Sequence, residues 1–265
     1  GESARKKLLE EGLLDTGLRV RREGDHLLLP VASPPSPSLG EILMGDFEEA
    51  RRPQGDYRRF LNLSQEMMGL LPTSYDVVGD IALIRLPDGL LPFSSEIGEA
   101  LRRTFPRLRA VVLDRGVEGE FRVRGLEIIS GEGPLVTVHT EFGLRFRVDL
   151  DRVYFNPRLS GERSRVAGQV KPGEVVIDMF AGVGPFSIMI AKMVTPVRVH
   201  AIDINPAAIA LLRENIGLNG VEGVVPHLGD AREVLKGLPQ ADRVIMNLPH
   251  SALDFLPEAA RSLKE

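Results

Sequence analysis

From about residue 154 onward, short apolar runs alternate with helix-forming segments, and this alternation constrains the fold more than any other feature. Apolar runs at 175–179, 197–202 and 243–246 predict strands, and helical spacing at 186–193 and 207–218 predicts the helices between them. This order favours a parallel sheet with helices on both faces, which binds ligands at the carboxyl ends of its strands. We therefore predict a Rossmann-like, doubly wound α/β domain over residues 153–265.

The preceding residues predict two smaller units. Short β-type runs at 110–113, 120–129, 135–139 and 144–148, with a helix at 97–105, indicate a mixed α/β domain over residues 57–152. In the last of these runs, Arg145 and Arg147 alternate with apolar residues, which places the arginines on one face of a strand. A strand at 26–31 and the proline-rich loop at 33–38 belong to a small N-terminal α/β module, residues 1–56.

Positive charge is concentrated in the middle of the chain. Residues 101–165 contain 13 Arg against 9 acidic residues, a net charge of +4, whereas residues 1–100 and 166–265 carry −6 and −2. The planar guanidinium group suits phosphate oxygens and nucleobases, so the segment is typical of a nucleic-acid-binding surface. The alternative is a solvated strand face on which the arginines pair with neighbouring Glu and Asp. Composition alone leaves both interpretations open.

The residue types that are missing exclude several classes of site. The chain has no Cys, which removes disulfides, thiolate metal sites and Cys nucleophiles, and its five His lack a metal-binding spacing. No run approaches eighteen apolar residues, so no membrane span is predicted. We expect a cytoplasmic protein that uses neither a metal nor a membrane partner.

The segment VVIDMFAGVGPFSI, residues 175–188, predicts a ligand site at the end of the first parallel strand. The strand ends at Asp178, a turn with Gly182 and Gly184 follows, and a helix begins, so backbone amides are open to a ligand. Ser187 stands where a dinucleotide motif has its third glycine, and Asp178 would repel a pyrophosphate. A ligand that carries an ammonium and a carboxylate group, such as S-adenosylmethionine, fits this polarity better.

Three further predicted strands also end in polar residues: 197–202, a third strand that ends at Leu228-Gly229-Asp230, and 243–246. Asp203 follows Asp178 by 25 residues, which is the place where doubly wound folds bind both ribose hydroxyls. Asp230 ends the third strand and is a candidate for the adenine amino group, and Asn247 follows the fourth. A single strand-end Asp is often only a helix N-cap, but the order of these residues along four strands predicts a cofactor site.

Six segments resemble the archaeal and eukaryotic tRNA (guanine-37-N1)-methyltransferases, across roughly residues 70–256. They are LPTSYDVVGDIALIRLP (71–87), GEFRVRGLEIISGE (119–132), VYFNPRLSGERSRVA (153–167), DMFAGVGPFSI (178–188), AIDINP (201–206) and MNLPHSALDFL (246–256). The related wyosine-pathway aminocarboxypropyltransferases lack the Asn-Leu-Pro element at 247–249 and the Pro-Arg-Leu-x-x-Glu-Arg run at 157–163. Methyl transfer is therefore the better interpretation.

The resemblance implies a class I enzyme that moves the methyl group of S-adenosylmethionine to N1 of guanosine 37 in tRNA. It implies the anticodon stem-loop as partner, contact of the N-terminal module with the tRNA, and an archaeal-type monomer. Methylation of a tricyclic wyosine precursor and aminocarboxypropyl transfer remain alternatives. Because a complete domain of this type has strands after the fourth, we expect the last domain to be incomplete, and a non-catalytic tRNA- or cofactor-binding fragment is a second alternative.

The resemblance also assigns roles to particular residues. It implies Glu162 as the general base, Arg122 or Arg124 as the donor to guanine O6, and Asn247 and Pro249 beside the target base. Partial burial in the closed complex should raise the pKa of Glu162, although an ion-pair partner at a helix start is the simpler interpretation of that residue. The implied cofactor-binding residues are Tyr154, Arg163, Asp178, Phe180, Gly182, Gly184, Asp203, Ile204, Asp230, Ala231 and Asn247. The implied RNA-binding residues are Arg124, Arg145, Arg147 and Arg158.

Overall fold

The protein is described by a computed structural model that covers residues 7–8, 13, 18, 20–23, 26–31, 42–43, 45, 47, 55–119, 123–248 and 251–264. The chain divides into two compact units, residues 1–59 and 60–265. In the first unit, β1 (Arg21–Glu23) pairs antiparallel with β2 (His26–Leu28), so the predicted strand at 26–31 is shorter than expected. The predicted loop at 33–38 lies outside the described residues.

The second unit contains strands and helices with the following bounds. The strands are β3 (Asp76–Val78), β4 (Ile81–Ile84), β5 (Ala110–Glu118), β6 (Val123–Gly131), β7 (Val136–Glu141), β8 (Leu144–Asp149), β9 (Val175–Asp178), β10 (Arg198–Asp203), β11 (Val224–Leu228) and β12 (Arg243–Ile245). The α-helices are α1 (Gln65–Leu70), α2 (Ser94–Thr104), α3 (Ser160–Ala167), α4 (Pro185–Met193), α5 (Pro206–Asn219), α6 (Ala231–Val234) and α7 (Leu256–Arg261). Short 3-10 turns occupy Tyr57–Phe60, Asp88–Phe93, Pro157–Leu159, Leu235–Gly237 and Ala252–Phe255.

The C-terminal strands form a parallel sheet in the order β11-β10-β9-β12. This arrangement confirms the predicted doubly wound fold. The chain leaves β9 toward β10 and β11 on one side and later returns to β12 on the other. The crossovers therefore reverse direction at β9, and a crevice forms at the carboxyl end of this strand.

Local sequence explains where the helices of this sheet begin. The side chain of Asn205 caps α5 by accepting a hydrogen bond from the Ala207 amide at 2.9 Å, and Pro206 occupies the first turn, where no amide donor is needed. Helix α4 has Pro185 in the same place, after Gly184 in the left-handed region at φ 86°. Helices α4 and α5 therefore begin after the carboxyl ends of β9 and β10, at the edge of the sheet where the crevice forms.

A second sheet precedes this domain in the chain. Its order is β3-β4-β5-β6, with β4 and β5 parallel and the outer pairs antiparallel. All four residues of β4 are buried, and α2 connects β4 to β5. Helix α2 begins three residues before the predicted segment 97–105, because the 3-10 turn Asp88–Phe93 leads directly into it.

The hairpin β7–β8 is fixed to helix α5 by two asparagines. Leu144, Phe146 and Val148 are buried while Arg145 and Arg147 are exposed, as the alternation predicts. The side-chain amide of Asn215 bonds the backbone N and O of Arg147 at 2.7 and 3.1 Å, and Asn219 bonds those of Arg145 at 2.8 and 2.7 Å. These amides satisfy backbone groups that an edge strand would otherwise expose.

Within the described residues, no helix combines the length and the apolar character that crossing a bilayer requires. The same part of the chain holds no group of three or more His, Cys, Asp or Glu side chains arranged to bind a metal ion.

Candidate cofactor and catalytic site

A cavity of about 210 Å³ lies at the carboxyl ends of the parallel strands, where the reversal of the crossovers predicts a ligand crevice. Loops after β9, β10, β11 and β12 form one side, and the segment that leads into α3 forms the other. Nine predicted cofactor residues line the cavity: Tyr154, Arg163, Phe180, Gly182, Asp203, Ile204, Asp230, Ala231 and Asn247. The lining also includes residues that the sequence did not single out: Phe155, Asn156, Leu159, Met179, Ala181, Val183, Pro185, Phe186, Asn205, Ala208, Gly229, Arg232, Leu248 and Phe255.

Asp203 is held with both carboxylate oxygens fixed. Its Oδ2 accepts a hydrogen bond from the Gly182 amide at 2.7 Å, and its Oδ1 accepts one from the Asn205 amide at 2.9 Å. Gly182 adopts a left-handed backbone with φ 56°, which glycine tolerates readily. Burial raises the pKa of Asp203. Each oxygen retains a second lone pair, so the carboxylate can accept from two neighbouring hydroxyl groups, as a ribose presents them.

Asp230 is already paired with a residue of its own helix. Arg232 donates from its backbone amide at 2.9 Å and from Nη2 at 2.5 Å, and this pairing lowers the pKa of Asp230. The guanidinium group of Arg232 lies 5.0 Å from the ring centroid of Phe255, which packs edge-on against Phe180 at 4.9 Å. An adenine amino group that reached Asp230 would therefore compete with Arg232. A spacing of two residues does not place side chains together on a helix, so the sequence carries no clear signal for this pair.

Asp178 does not line the cavity, contrary to the expectation that it contacts the cofactor. Its side chain is fully buried, and its Oδ2 accepts a hydrogen bond from Ser187 Oγ at 2.8 Å. Its Oδ1 has no hydrogen-bond partner among the described residues. Burial raises the pKa of Asp178 to about 7. The strand and the helix that follows it enclose this carboxyl group beneath the loop that a ligand would touch.

Gly184 also lies outside the lining, and helix packing explains its presence. A Cβ atom at this position would come within 2.2 Å of Leu212 Cδ1, and the backbone has a positive φ of 86°. The glycine therefore permits close approach of α4 to α5. Its contact with the cofactor stays a prediction.

Arg163 lies in the wall of the cavity, and both terminal nitrogens of its guanidinium group have hydrogen-bond partners. Its side chain is 2% exposed, and its Nη1 donates to both oxygens of Glu141 at 2.5 and 2.7 Å. Its Nη2 donates to the carbonyl oxygen of Asn156 at 2.6 Å, and the guanidinium group lies 5.1 Å from the centroid of the Phe155 ring. Its Nε has no hydrogen-bond partner within the described part of the chain. Sequence reasoning identified Arg163 but missed Glu141.

Glu162 is exposed on α3 and does not line the cavity. Arg165 donates to its two oxygens at 2.6 and 2.8 Å, and this hydrogen bonding lowers the pKa of Glu162. The shift is opposite to the one expected for a base in a closed complex. In the free protein the residue has the simpler role considered above, an ion-pair partner at the start of a helix.

The arginine-rich segment 101–165 divides into buried and exposed members. Arg124 is buried against Asp114, with side chains 7% and 4% exposed, and its guanidinium group lies 5.3 Å from the Tyr154 ring centroid. Asp114 takes up its charge in this structure, and the role of Arg124 in RNA binding stays a prediction. Arg158 and Arg147 are exposed but pair with Asp76 and Glu214.

The positions of three predicted site residues remain to be given. Arg145 is exposed at the hairpin β7–β8, with no ion pair to any described residue. Arg122 and Pro249 lie outside the described residues.

Family models match consecutive parts of the chain. The TRM5/TYW2 methyltransferase domain matches residues 137–265, the TYW2 N-terminal domain matches 57–134, and the tRNA methyltransferase 5 N-terminal domain matches 1–38. Together these matches leave only residues 39–56 and 135–136 unmatched.

Individual relatives are similar over the whole length. The tRNA (guanine(37)-N(1))-methyltransferase Trm5b of Pyrococcus abyssi is 44% identical across 100% of this chain and 78% of its own length. The solved complex of aTrm5 and tRNALeu is 38% identical, covers 100% of this chain and 82% of its own, and superimposes with a TM-score of 0.70. Methanocaldococcus jannaschii Trm5 in complex with adenosine is 37% identical, covers 100% and 80%, and has a TM-score of 0.69. The chain belongs to the TRM5/TYW2 methyltransferase family.

Proposed function

We propose that the protein transfers the methyl group of S-adenosylmethionine to N1 of guanosine 37 in tRNA. The observation that carries the proposal is the cavity at the ends of four parallel strands, in a chain that is 44% identical over its full length to a methyltransferase of that name. The relatives bound to tRNALeu and to adenosine support the two ligands, a tRNA and an adenosyl cofactor.

The residues that line the cavity fit such a cofactor. Asp203 offers acceptors for the ribose hydroxyls, and the unpartnered Nε of Arg163 is a buried donor that suits a carboxylate. Phe180 and Ile204 supply apolar surface for the adenine ring. When bound, the cofactor would supply an electrophilic methyl group, and the protein must align the acceptor atom and remove its proton.

Guanine N1 carries a proton at neutral pH, so its lone pair becomes available only as that proton leaves. In the proposed reaction the carbon–sulfur bond breaks, a bond from the methyl carbon to N1 forms, and the N1 proton passes to the carboxylate of Glu162. Glu162 must first leave Arg165, and an incoming phosphate group that binds Arg165 would release it. In the free protein, before this release, the hydrogen bonds from Arg165 lower the pKa of Glu162 and keep its carboxylate deprotonated.

Negative charge develops at guanine O6 during this step and requires a donor. Of the two candidate arginines, Arg124 is committed to Asp114 within the protein, which favours Arg122 as the donor. Asn247 lines the cavity after β12, where it can orient the target base, and we propose that Pro249 shapes the same wall.

We propose that the target nucleotide leaves the anticodon loop to enter the cavity, and that Arg145, Arg147 and Arg158 bind phosphates of the stem. The three proposed domains, residues 1–56, 57–152 and 153–265, would divide tRNA contact and methyl transfer among them. We also propose that the protein is of the archaeal type and acts as a monomer. We propose that it works in the cytoplasm, in keeping with the absence of Cys.

Transfer of labelled methyl groups tests the proposal. A tRNA transcript with G37 should accept label from S-adenosylmethionine, whereas the same transcript with A37 should remain unlabelled, because adenine N1 carries no proton and adenine has no O6. Equal labelling of both transcripts, or of neither, would contradict the proposed function.

A further inference from the structure

A row of polar contacts connects the β3–β4 turn to the wall of the cavity. The backbone amide of Gly79 donates to Nδ1 of His139 at 3.2 Å. Because Nδ1 accepts, the neutral ring carries its proton on Nε2, which faces Glu141 Oε1 at 3.3 Å. The histidine therefore presents a donor to a carboxylate that is itself buried.

The buried carboxylate of Glu141 fixes the end of the Arg163 side chain. Both side chains are 2% exposed, and the two hydrogen bonds from Nη1 span both carboxylate oxygens. Nη2 donates to the carbonyl oxygen of Asn156, and the Phe155 ring lies against one face of the guanidinium group. The group is therefore held on three sides. The one nitrogen of this guanidinium group with no hydrogen-bond partner among the residues that the structure describes is Nε.

An unpartnered buried donor is costly unless a ligand satisfies it. Arg163 lines the cavity, and a guanidinium group can only donate, so the matching ligand atom must be an acceptor. The ribose hydroxyls are matched by Asp203, which can only accept. The carboxylate at the amino-acid end of the cofactor is the anionic acceptor that remains.

We propose that Glu141 is a positioning residue that directs Nε–H of Arg163 toward the carboxylate of the bound cofactor. The inference rests on the proposed function, because it requires an adenosyl amino acid in the cavity. Glu141 itself touches no ligand and acts only through Arg163, while His139 holds the second side of Glu141.

Ligands with and without the amino-acid end separate this role from a general effect on folding. In the Glu141→Gln variant the amide keeps the shape of the carboxylate but cannot accept at both positions. We expect its affinity for S-adenosylhomocysteine to fall about tenfold or more, as for loss of a charged hydrogen bond. Its affinity for 5′-methylthioadenosine, which lacks the amino-acid end, should stay within about twofold of the unaltered protein. Isothermal titration calorimetry measures both.

Glu174→Gln is the matched control, since Glu174 pairs with Arg243 at the opposite end of the sheet and should leave both affinities unchanged. If Glu141→Gln does not fold, His139→Gln should show a smaller loss of the same selective kind. Equal weakening of both ligands, or no weakening of S-adenosylhomocysteine, would overturn the role of Glu141. Failure of the unaltered protein to bind either ligand would contradict the proposed function itself.

Discussion

The loops at the parallel strand ends and the arginine-rich segment 101–165 use charge in different ways. At the strand ends, Asp203 is fixed by backbone amides that the glycine turn and the start of α5 supply. In the arginine-rich segment, the charged groups are fixed by other side chains, often from distant parts of the chain. Arg158 pairs with Asp76, and Arg147 pairs with Glu214.

This difference decides how each region contributes to function. A carboxylate fixed by backbone amides keeps lone pairs for a ligand, so its role follows from its place in the fold. Removing one partner of a buried Arg–carboxylate pair leaves an uncompensated buried charge and is strongly destabilising, whereas breaking an exposed pair costs little. Positive charge counted along the sequence therefore overstates the surface that remains for a polyanion. The following predictions test this distinction.

Removal of Asp114 should have the largest effect. Asp114→Ala leaves Arg124 charged and buried without its partner, and we expect a loss of about 3–5 kcal/mol in the free energy of unfolding. Glu214→Ala breaks the exposed pair with Arg147 and should cost less than about 1 kcal/mol. Urea unfolding of both variants measures the contrast, and similar losses would contradict the division into buried and exposed arginines.

Replacement of Glu162, the proposed base, should have the next largest effect. We expect Glu162→Gln to lower kcat about 100-fold while the affinity for S-adenosylhomocysteine is unchanged, because Glu162 lies outside the cavity. Arg165→Ala sharpens the test. Without Arg165 the pKa of Glu162 in the free protein rises, so the loss of kcat/KM on the acid side, which reports the free protein, should move to higher pH. Normal turnover by Glu162→Gln would refute its assignment as base.

Asp178 predicts a pH dependence of stability in the absence of cofactor. Its folded-state pKa of about 7 lies above the ordinary 3.8, so the folded protein binds this proton more tightly than the unfolded chain. The stabilisation is complete below about pH 4 and is lost as the pH rises through 7. Between pH 5 and 8 we expect a loss of about 3 kcal/mol in the free energy of unfolding, which Asp178→Asn removes. Parallel stability curves for the two proteins would exclude this origin.

The smallest expected effect concerns Arg145, which is exposed and forms no ion pair with any described residue. Arg145→Ala should weaken tRNA binding about three- to tenfold at low salt and reduce the salt dependence by about one phosphate contact. Lys236→Ala removes an exposed charge that pairs with Glu233 outside the arginine-rich segment, and should leave binding unchanged. Filter binding at several salt concentrations separates the two. Equal losses would indicate a nonspecific response to net charge.

How far the sequence predicts this molecule depends on where the partner of each residue lies. The parallel sheet and the place of Asp203 follow from strand–helix periodicity and from a turn within one contiguous segment. The role of Gly184 does not follow from the sequence, because it depends on contact with Leu212 on the next helix. The burial of Arg124 against Asp114 likewise depends on pairing between two strands.

Glu141 was missed for a related reason. In β7 the side chains of Thr137, His139 and Glu141 share the inner face, while the apolar Val138 is exposed. Alternation of polar and apolar residues therefore assigns the wrong face to the interior. The polar inner face is explained by its partners Gly79, Asp80 and Arg163, which lie on other elements of the fold.

Mass spectrometry of the modified nucleoside tests the central claim most directly. After incubation of the protein with S-adenosylmethionine and a tRNA that carries G37, nucleoside digestion should release N1-methylguanosine from position 37. Aminocarboxypropyl-guanosine or unmodified guanosine at that position, from protein that binds the cofactor, would contradict the account.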